Sequence, residues 1–289
     1  MTADGRPLPA EHFYVPLGDE RYLATAATAG PWDPAAQHGG PPAALLGRAI
    51  ERTPGGSATV VARATCEILG PVPVGEVALS SRVVRPGRSV ELVEATLDAA
   101  GRTAARMLAW RVVATPPDVP VPTGPRWGPG DGDGEDGGAD TDGSGDIAGV
   151  PPLPERAATT PPGDWHDGYL SAVEWRFVRG EFGRPGPATV WTRARVPLVA
   201  GEEPTSLQRA LLVADSGNGV SNVLPIAGWW FINPELTVHL HRPAEGAWVA
   251  VEARTTITPG GAGLAESRLY DRSGPIGRGA QALYVARRA

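Results

Sequence analysis

The first clear periodicity along the chain is helical and covers residues 43–52. The apolar residues that share one face of this segment are Leu45, Leu46, Ala49 and Ile50. Prolines at positions 41 and 42 are compatible with a first helical turn, because the amides missing there have no partner inside the helix. The run TPGG at residues 53–56 ends the pattern. We therefore predict a helix that packs one face against a core.

Four runs rich in β-branched and apolar residues follow this helix. They cover residues 58–69, 75–85, 89–99 and 103–114. The segments 85–88 and 99–102 between them are short and contain glycine, as hairpin turns do. The first half therefore predicts one helix followed by an antiparallel meander.

The second half contains the same arrangement after two additional strand-like runs, 168–178 and 188–196. A helix follows, with Thr205 or Ser206 as its N-cap. Its apolar positions at helical spacing are Leu207, Ala210, Leu211 and Ala214. The last four strand-like runs cover residues 235–242, 247–257, 263–270 and 276–286.

The strand portions of the two halves form an internal repeat. The run ILGP at 68–71 aligns with LHRP at 240–243, and LDAAG at 97–101 aligns with YDRSG at 270–274, at an offset of 172 or 173 residues. A constant offset of this kind indicates a duplicated unit. One sheet wrapped on one helix buries both apolar faces, so we predict an α+β chain of two tandem units.

An acidic segment separates the two halves. Residues 128–149 hold seven acids and no base, within a stretch rich in glycine and proline. Such a composition buries little apolar surface and is typical of a flexible linker. We therefore divide the chain into a first domain at 1–115, a linker at 116–160 and a second domain at 161–289.

Composition excludes several classes of function. The net charge is −6, all 26 basic residues are arginine, and the chain outside the acidic segment is close to neutral, so nucleic-acid binding has no support. No apolar run approaches a membrane span and the N-terminal segment does not resemble a secretory signal. Cys66 is the single cysteine, which excludes an intramolecular disulfide. We expect a cytoplasmic protein with no nucleic-acid or membrane partner.

Four motifs resemble those of the acyl-CoA thioesterase II-like, double-hotdog family, most closely its actinobacterial branch. They are QHGGPPAAL at 37–45, DSGNG at 215–219, FINPELTVHLHRP at 231–243 and IGRGAQ at 276–281. Their order and spacing cover both halves. The resemblance implies two tandem hotdog domains, each an antiparallel sheet wrapped around a central helix, and hydrolysis of an acyl thioester to a carboxylic acid and a free thiol.

The resemblance also implies the catalytic residues, namely an acid on the second central helix, a small polar residue at the next strand and a glutamine on the last strand. By position these are Asp215, Asn233 and Gln281. The best-known family members have Thr or Ser where this chain has Asn233, although an amide can still hold a water molecule. No cofactor is implied beyond the coenzyme A of the substrate, and no metal.

The residue types fit this chemistry. Asp215 can accept a proton from water as a general base, while Asn233 and Gln281 fix the position of that water. Gly39 and Gly40 precede the first helix and can offer backbone N–H groups to the developing oxyanion. His38 and Trp230 are candidates for lining the substrate pocket.

Each candidate also has an ordinary structural interpretation. A helical Asp near glycines often caps a turn, Asn before proline is typical of a strand entry, and Gln in a strand is usually exposed. Trp230 lies in a WWF run that core packing explains equally well. His239 and His241 share one strand face, but no third metal ligand is evident. Cys66 lies in an apolar strand, which favours a buried and inert thiol.

Three functions stay open from the sequence. The first is an acyl-CoA thioesterase. The second is a dehydratase or hydratase of acyl thioesters, which requires a His/Asp pair that the sequence does not place. The third is a non-catalytic protein that binds acyl thioesters, since a fold does not guarantee an activity. A monomer and a homo-oligomer of the double unit both remain open.

Overall fold

The structure is a computed structural model that describes residues 8–55, 58–116, 118–120, 149–155, 168–225 and 228–288. The first half contains two short strands, one helix and four longer strands. These elements are β1 (Tyr14–Gly18), β2 (Arg21–Ala24), α1 (Gly40–Arg52), β3 (Thr59–Ile68), β4 (Glu76–Arg85), β5 (Val90–Ala99) and β6 (Arg102–Val113). A single 3-10 turn at Ala26–Thr28 lies between β2 and α1.

The second half has the same elements in the same order, with three additions. These elements are α2 (Tyr169–Ala172), β7 (Val173–Arg179), β8 (Ala188–Ala194), α3 (Ser206–Ala214), α4 (Gly217–Val220), β9 (Trp229–Ile232), β10 (Glu235–Leu240), β11 (Val249–Ile257), β12 (Gly263–Asp271) and β13 (Gly274–Arg287). The additions are α2, α4 and β9. Thr205 caps α3, because its hydroxyl accepts the Gln208 N–H at 3.2 Å.

One antiparallel sheet runs through both halves in the order β1-β2-β4-β5-β6-β3-β10-β13-β12-β11-β8-β7, and β9 pairs with β13. Counted outwards from the centre, equivalent strands follow in the same order on both sides. They are β3, β6, β5, β4, β2 and β1 in the first half, and β10, β13, β12, β11, β8 and β7 in the second. β3 and β10 form the seam, where Thr237 lies opposite Thr65 and donates to its hydroxyl at 3.2 Å. These two threonines are 172 residues apart, which is the offset of the sequence repeat.

The two central helices pack against each other in antiparallel orientation beneath this sheet. Glycines on α1 set how closely they approach. A Cβ on Gly40 would lie 2.1 Å from the Leu212 carbonyl oxygen, and one on Gly47 would lie 2.5 Å from a methyl group of Leu211. The start of α1 is therefore brought against the end of α3, where Asp215 follows the last helical residue.

The inner face of the sheet and the two helices form one apolar core. It includes Leu45, Leu46, Ile50, Leu97, Met107, Leu211, Leu236 and Leu269, all fully buried. This arrangement confirms the predicted fold class of two tandem hotdog domains. Among the residues that the structure describes, none of the helices has the length and apolar character needed to span a bilayer.

Residues 150–155 lie on the outer face of the second half of the sheet. Trp191 Nε1 donates to the carbonyl oxygens of Pro151 and Pro152, both at 3.1 Å, and Arg176 donates to that of Pro154 at 2.8 Å. Leu153 packs against the same cluster of rings. Most of the predicted linker, including the acidic run, lies outside the described residues, and the domain division stays a prediction.

The predicted secondary structure is confirmed for both central helices and for the eight strands that follow them. One prediction needs correction, since the strand expected at 168–178 begins only at Val173 and is preceded by the helical turn α2. β1, β2 and β9 were not predicted. β1 and β2 occupy the positions of β7 and β8 in the repeat, so the duplication is more complete than the sequence indicates.

Candidate active site

Asp215 lies at the C-terminal end of α3, where that helix meets the start of α1. It is the helix C-cap residue, and only 4% of its surface is exposed. A Cβ on Gly39 would lie 2.6 Å from Asp215 Oδ2, so glycine at that position makes room for the carboxylate. The carboxylate is therefore enclosed between the two halves of the chain.

Gln281 and Asn233 both reach this carboxylate, so the three residues implied by the resemblance come together. Asn233 Nδ2 donates to Asp215 Oδ1 at 2.8 Å, and Gln281 Nε2 donates to the same oxygen at 3.2 Å. Gln281 Nε2 also donates to the backbone carbonyl of Asp215 at 3.0 Å, which satisfies the end of α3. Both amides thus donate to Oδ1 of Asp215, and neither of them donates to Oδ2.

Asn218 fixes the orientation of both amides and was not identified as a site residue from the sequence. Its backbone N–H donates to Gln281 Oε1 at 3.0 Å, and its side-chain Nδ2 contacts Asn233 Oδ1 at 3.4 Å. Because these oxygens accept, the nitrogen of each amide must face Asp215. Asn218 lies inside the DSGNG run, which is the one signal that could have pointed to it.

The start of α1 offers fewer free donors than its sequence suggests. Pro41 and Pro42 have no N–H, and Ala43 N–H bonds back to the Gly39 carbonyl at 3.1 Å. Gly40 N–H donates to His38 Nδ1 at 3.1 Å. The prediction that Gly39 and Gly40 together form the oxyanion donor is therefore corrected for Gly40, whose N–H is already taken by His38.

His38 lies beside Asp215 and is held in one plane. Its ring stacks on Tyr169 with centroids 3.8 Å apart and an interplanar angle of 9°. Burial lowers the pKa of His38, and the nearby Asp215 only partly opposes this effect. The imidazole is therefore neutral, and since Nδ1 accepts from Gly40, the ring proton resides on Nε2.

The distance between His38 Nδ1 and Asp215 Oδ2 is 3.4 Å. The structure thus brings a histidine and an aspartate side by side, a juxtaposition that the sequence alone did not reveal. Tyr169, which stacks on His38, also binds the end of α3. Its hydroxyl donates to the Leu212 carbonyl at 2.9 Å and lies 2.9 Å from Ser216 Oγ. Burial raises the pKa of Tyr169, so its hydroxyl stays protonated.

A cleft opens next to these residues. Its lining consists of Pro31, Trp32, His38, Leu170, Trp175, Phe182, Ser216, Asn218, Gly219 and Val220. Polar atoms come from His38, Ser216 and Asn218, whereas the remaining wall is mostly apolar and aromatic. A mainly apolar cleft with a few converging polar groups is typical of a small-molecule site.

Trp230 does not line this cleft. Its ring lies under the guanidinium of Arg288, whose central carbon is 3.8 Å from the ring centroid. The tryptophans that line the cleft are Trp32 and Trp175, and Trp32 meets Phe231 edge to face at 5.8 Å. The assignment of Trp230 to substrate binding is therefore not supported by its position and stays a prediction.

Two further candidates have structural positions. Cys66 is buried opposite Leu236 at the seam, and burial raises the pKa of its thiol, so it is not poised as a nucleophile. His239 lies opposite Arg63 and Arg278 on the outer face. Within the described ranges, no three His, Cys, Asp or Glu side chains come together as a metal site would require.

Family models match both halves of the chain. The acyl-CoA thioesterase N-terminal domain matches residues 28–112, and the acyl-CoA thioesterase C-terminal domain matches residues 149–285. Together the two matches include every residue of the site described above. A search of curated protein sequences gave no match.

Solved structures show the same fold over nearly the whole chain. A candidate thioesterase II from Thermobifida fusca is 20% identical with a TM-score of 0.65, covering 99% of this chain and 98% of that one. A hot dog fold protein from Alicyclobacillus acidocaldarius is 15% identical, with a TM-score of 0.63 and 95% of both chains covered. The acyl-CoA thioesterase II TesB2 of Mycobacterium marinum is 13% identical, with a TM-score of 0.59 and coverage of 96% and 95%. At these identities the likeness concerns the fold alone.

Proposed function

Because this chain belongs to the acyl-CoA thioesterase family and is a thioester hydrolase, we propose that it cleaves an acyl-CoA with a water molecule activated by Asp215. The observation that supports this role is the asymmetric environment of the carboxylate. Asn233 and Gln281 both donate to Oδ1, while Oδ2 faces Gly39 and His38. Oδ2 is the oxygen left to accept a proton.

In this proposal the side-chain amides of Asn233 and Gln281 orient the carboxylate of Asp215 and do not bind the water molecule. Two donors on Oδ1 fix the plane of the carboxylate and direct the basic lone pairs of Oδ2 towards the start of α1. The network continues through Asn218, so the carboxylate cannot rotate without breaking several hydrogen bonds. Such preorganisation is the main contribution that a protein can make to a step of this kind.

The oxyanion in this proposal is stabilised by neutral donors. His38 lines the cleft and carries its ring proton on Nε2, because Nδ1 accepts from Gly40 N–H. A neutral imidazole whose pKa is lowered can act as an electrophile towards a carbonyl oxygen. Gly39 N–H has no partner among the described residues and is the second donor.

The reaction then balances without any other group. The water oxygen attacks the thioester carbonyl carbon as Asp215 Oδ2 takes one of its protons. The carbonyl π electrons move to oxygen, which His38 and Gly39 stabilise. When the carbonyl reforms, the carbon–sulfur bond breaks and the thiolate recovers the proton from Asp215. The products are a carboxylic acid and free coenzyme A.

Thiol release from a panel of acyl-CoAs tests this proposal. Replacing Asp215 with Asn removes the base and is expected to lower kcat by roughly 10²- to 10⁴-fold, with a smaller effect on KM. Asp98→Asn is the matched control, because Asp98 is a half-buried carboxylate that does not line the cleft and accepts from the Thr103 hydroxyl. The control should keep wild-type kinetics. Equal activity of Asp215→Asn and wild type would show that another group is the base.

A second activity at the same site is favoured by one observation, the 3.4 Å approach of His38 Nδ1 to Asp215 Oδ2. Hydration of an enoyl thioester uses such a pair to activate water against a double bond. Incubation of the same proteins with an enoyl-CoA, followed by loss of its ultraviolet absorbance, tests this alternative. Hydration without thiol release would replace the proposed hydrolysis.

A further inference from the structure

We propose that Phe182, backed by Trp175, closes the acyl end of the cleft and restricts the enzyme to short acyl chains. This inference rests on the proposed function, since it assumes that the thioester carbonyl lies near His38. It concerns the other end of the cleft and different residues. The evidence is a row of aromatic contacts, the loop that carries Phe182 and the exposure of the opposite end.

Aromatic rings connect His38 to Phe182 in a continuous row. His38 stacks on Tyr169, Tyr169 meets Trp175 edge to face at 6.0 Å, and Trp175 meets Phe182 edge to face at 5.3 Å. The indole of Trp175 is fixed because its Nε1 donates to the Leu170 carbonyl at 2.9 Å. Phe182 is therefore the lining residue farthest along this row from the catalytic groups.

Phe182 is held in place from two sides. Its ring also meets Phe177 edge to face, with centroids 5.0 Å apart. It lies on the loop between β7 and β8, and the backbone of that loop is tied to the end of α4, since Gly186 N–H donates to the Asn222 carbonyl at 2.8 Å. The side chain thus forms a fixed wall at this end.

We place the mouth of the cleft at Trp32. This lining residue is 41% exposed, whereas Trp175 is buried. Entry of a substrate past Trp32 brings its thioester to His38 and Asn218 and directs the acyl chain towards Leu170, Trp175 and Phe182. The apolar character of that end suits a hydrocarbon chain.

The enclosed part of the cleft is small, with a volume of about 40 Å³. A long hydrocarbon chain needs more room than this. The Phe182 side chain would therefore have to move, or be made smaller, before such a chain could enter.

Chain-length profiles of position 182 variants test the inference. The ratio of kcat/KM for decanoyl-CoA to that for butyryl-CoA is measured for wild type, Phe182→Ala and Phe182→Trp. Phe182→Ala should raise the ratio by about tenfold or more, because each methylene that enters the cleft contributes roughly fourfold. Phe182→Trp should lower it. General damage to the fold would lower both rates and leave the ratio unchanged.

Val178→Ala is the matched control on the same hairpin, because Val178 is exposed and does not line the cleft. Its ratio should stay within about twofold of wild type. The inference is overturned if wild type prefers decanoyl-CoA, or if both Phe182 variants keep the wild-type ratio.

Binding measurements separate this inference from the proposed function. Quenching of tryptophan fluorescence by butyryl- and decanoyl-CoA is followed in Asp215→Asn with and without Phe182→Ala. A tenfold gain in decanoyl-CoA affinity on adding Phe182→Ala supports the inference even if wild type releases no thiol. Equal affinities in the two proteins would contradict it whatever the activity.

Discussion

At the scale of single residues, Asn233 is the position at which the resemblance implies Thr or Ser in the best-known family members. The structure gives the amide a specific task that does not require a water molecule. Asn233 Nδ2 donates to Asp215 Oδ1 at 2.8 Å, and its oxygen faces the amide of Asn218. The hydroxyl of a shorter Thr or Ser side chain can also donate to the Asp215 carboxylate. Asn at position 233 therefore supplies the same kind of hydrogen-bond donor on a longer side chain.

Replacing Asn233 with Ala and Thr tests this interpretation. The Ala variant loses a hydrogen bond to a charged group, which costs about 1.5–3 kcal/mol, and kcat should fall roughly ten- to hundredfold. The Thr variant should recover most of that loss because it restores a donor. Steady-state kinetics with one acyl-CoA measures both variants. An Ala variant as active as wild type would show that Asn233 does not hold the base.

Part of this arrangement could be predicted from the sequence, and the catalytic roles of its residues stay a prediction. Asp215, Asn233 and Gln281 each lie in a motif of the family, so their convergence followed from the resemblance. Asn218 acts largely through its backbone N–H, which any residue except proline could supply. Tyr169 and Phe182 lie in segments with no motif, and their roles depend on packing between distant strands.

At the scale of elements, the antiparallel pair α1 and α3 has two ends with different chemistry. At one end Gln281, a neutral amide from β13, satisfies the carbonyl of Asp215. At the other end Arg111 from β6 donates to the carbonyls of Ile50 and Thr53 and forms a buried ion pair with Glu91 at 2.8 Å. The first half thus has a structural ion pair near the place that corresponds to the candidate active site of the second half.

Removal of Glu91 is expected to destabilise the protein strongly. Glu91→Gln leaves the Arg111 guanidinium buried without its counter-ion, and a loss of about 3–5 kcal/mol in the free energy of unfolding is typical of such a change. Glu266→Gln is the control, because its ion pair with Arg254 is exposed and worth at most about 1 kcal/mol. Chemical denaturation of the three proteins measures the difference. A small effect of Glu91→Gln would mean that Arg111 reaches water.

Element prediction succeeded where periodicity was long and failed where turns were unusual. The eight strands that follow the central helices, and the helices themselves, show clear periodicity in the positions of their apolar residues. β1 and β2 are short, β1 contains Pro16, and they are joined by Asp19 and Glu20 with φ of 51° and 54°. A turn of this geometry normally has Asn-Gly, so the sequence lacked the usual hairpin signal.

At the scale of the whole molecule, the two halves are one structural unit. They share a continuous sheet through the β3–β10 seam and a single core. His38 and Gly39 come from the first half, and Asp215, Asn233 and Gln281 come from the second. Residues 150–155 add a contact within the second half, since they cover the rings of Trp191 and Tyr270 on the outer face.

The contact made by residues 150–155 is expected to contribute measurably to stability. Leu153→Ser removes apolar burial against Trp191 and should lower the free energy of unfolding by about 1–2 kcal/mol. Leu264→Ser is the control, because Leu264 is exposed on the same sheet and should change stability by less than about 0.5 kcal/mol. Chemical denaturation measures both. Equal stability of the two variants would show that the segment does not bind the sheet in solution.

The seam between β3 and β10 has a consequence for how such a chain can evolve. In a pair of identical subunits, every mutation occurs twice, and both halves of the assembly must tolerate it. Covalent fusion removes that constraint, because each copy then accumulates changes of its own. Here one copy has the acid that we propose as the base, and the other has a buried arginine–glutamate pair in the corresponding region. The two copies therefore differ in chemistry at equivalent places, as a fused pair permits and a pair of identical subunits does not.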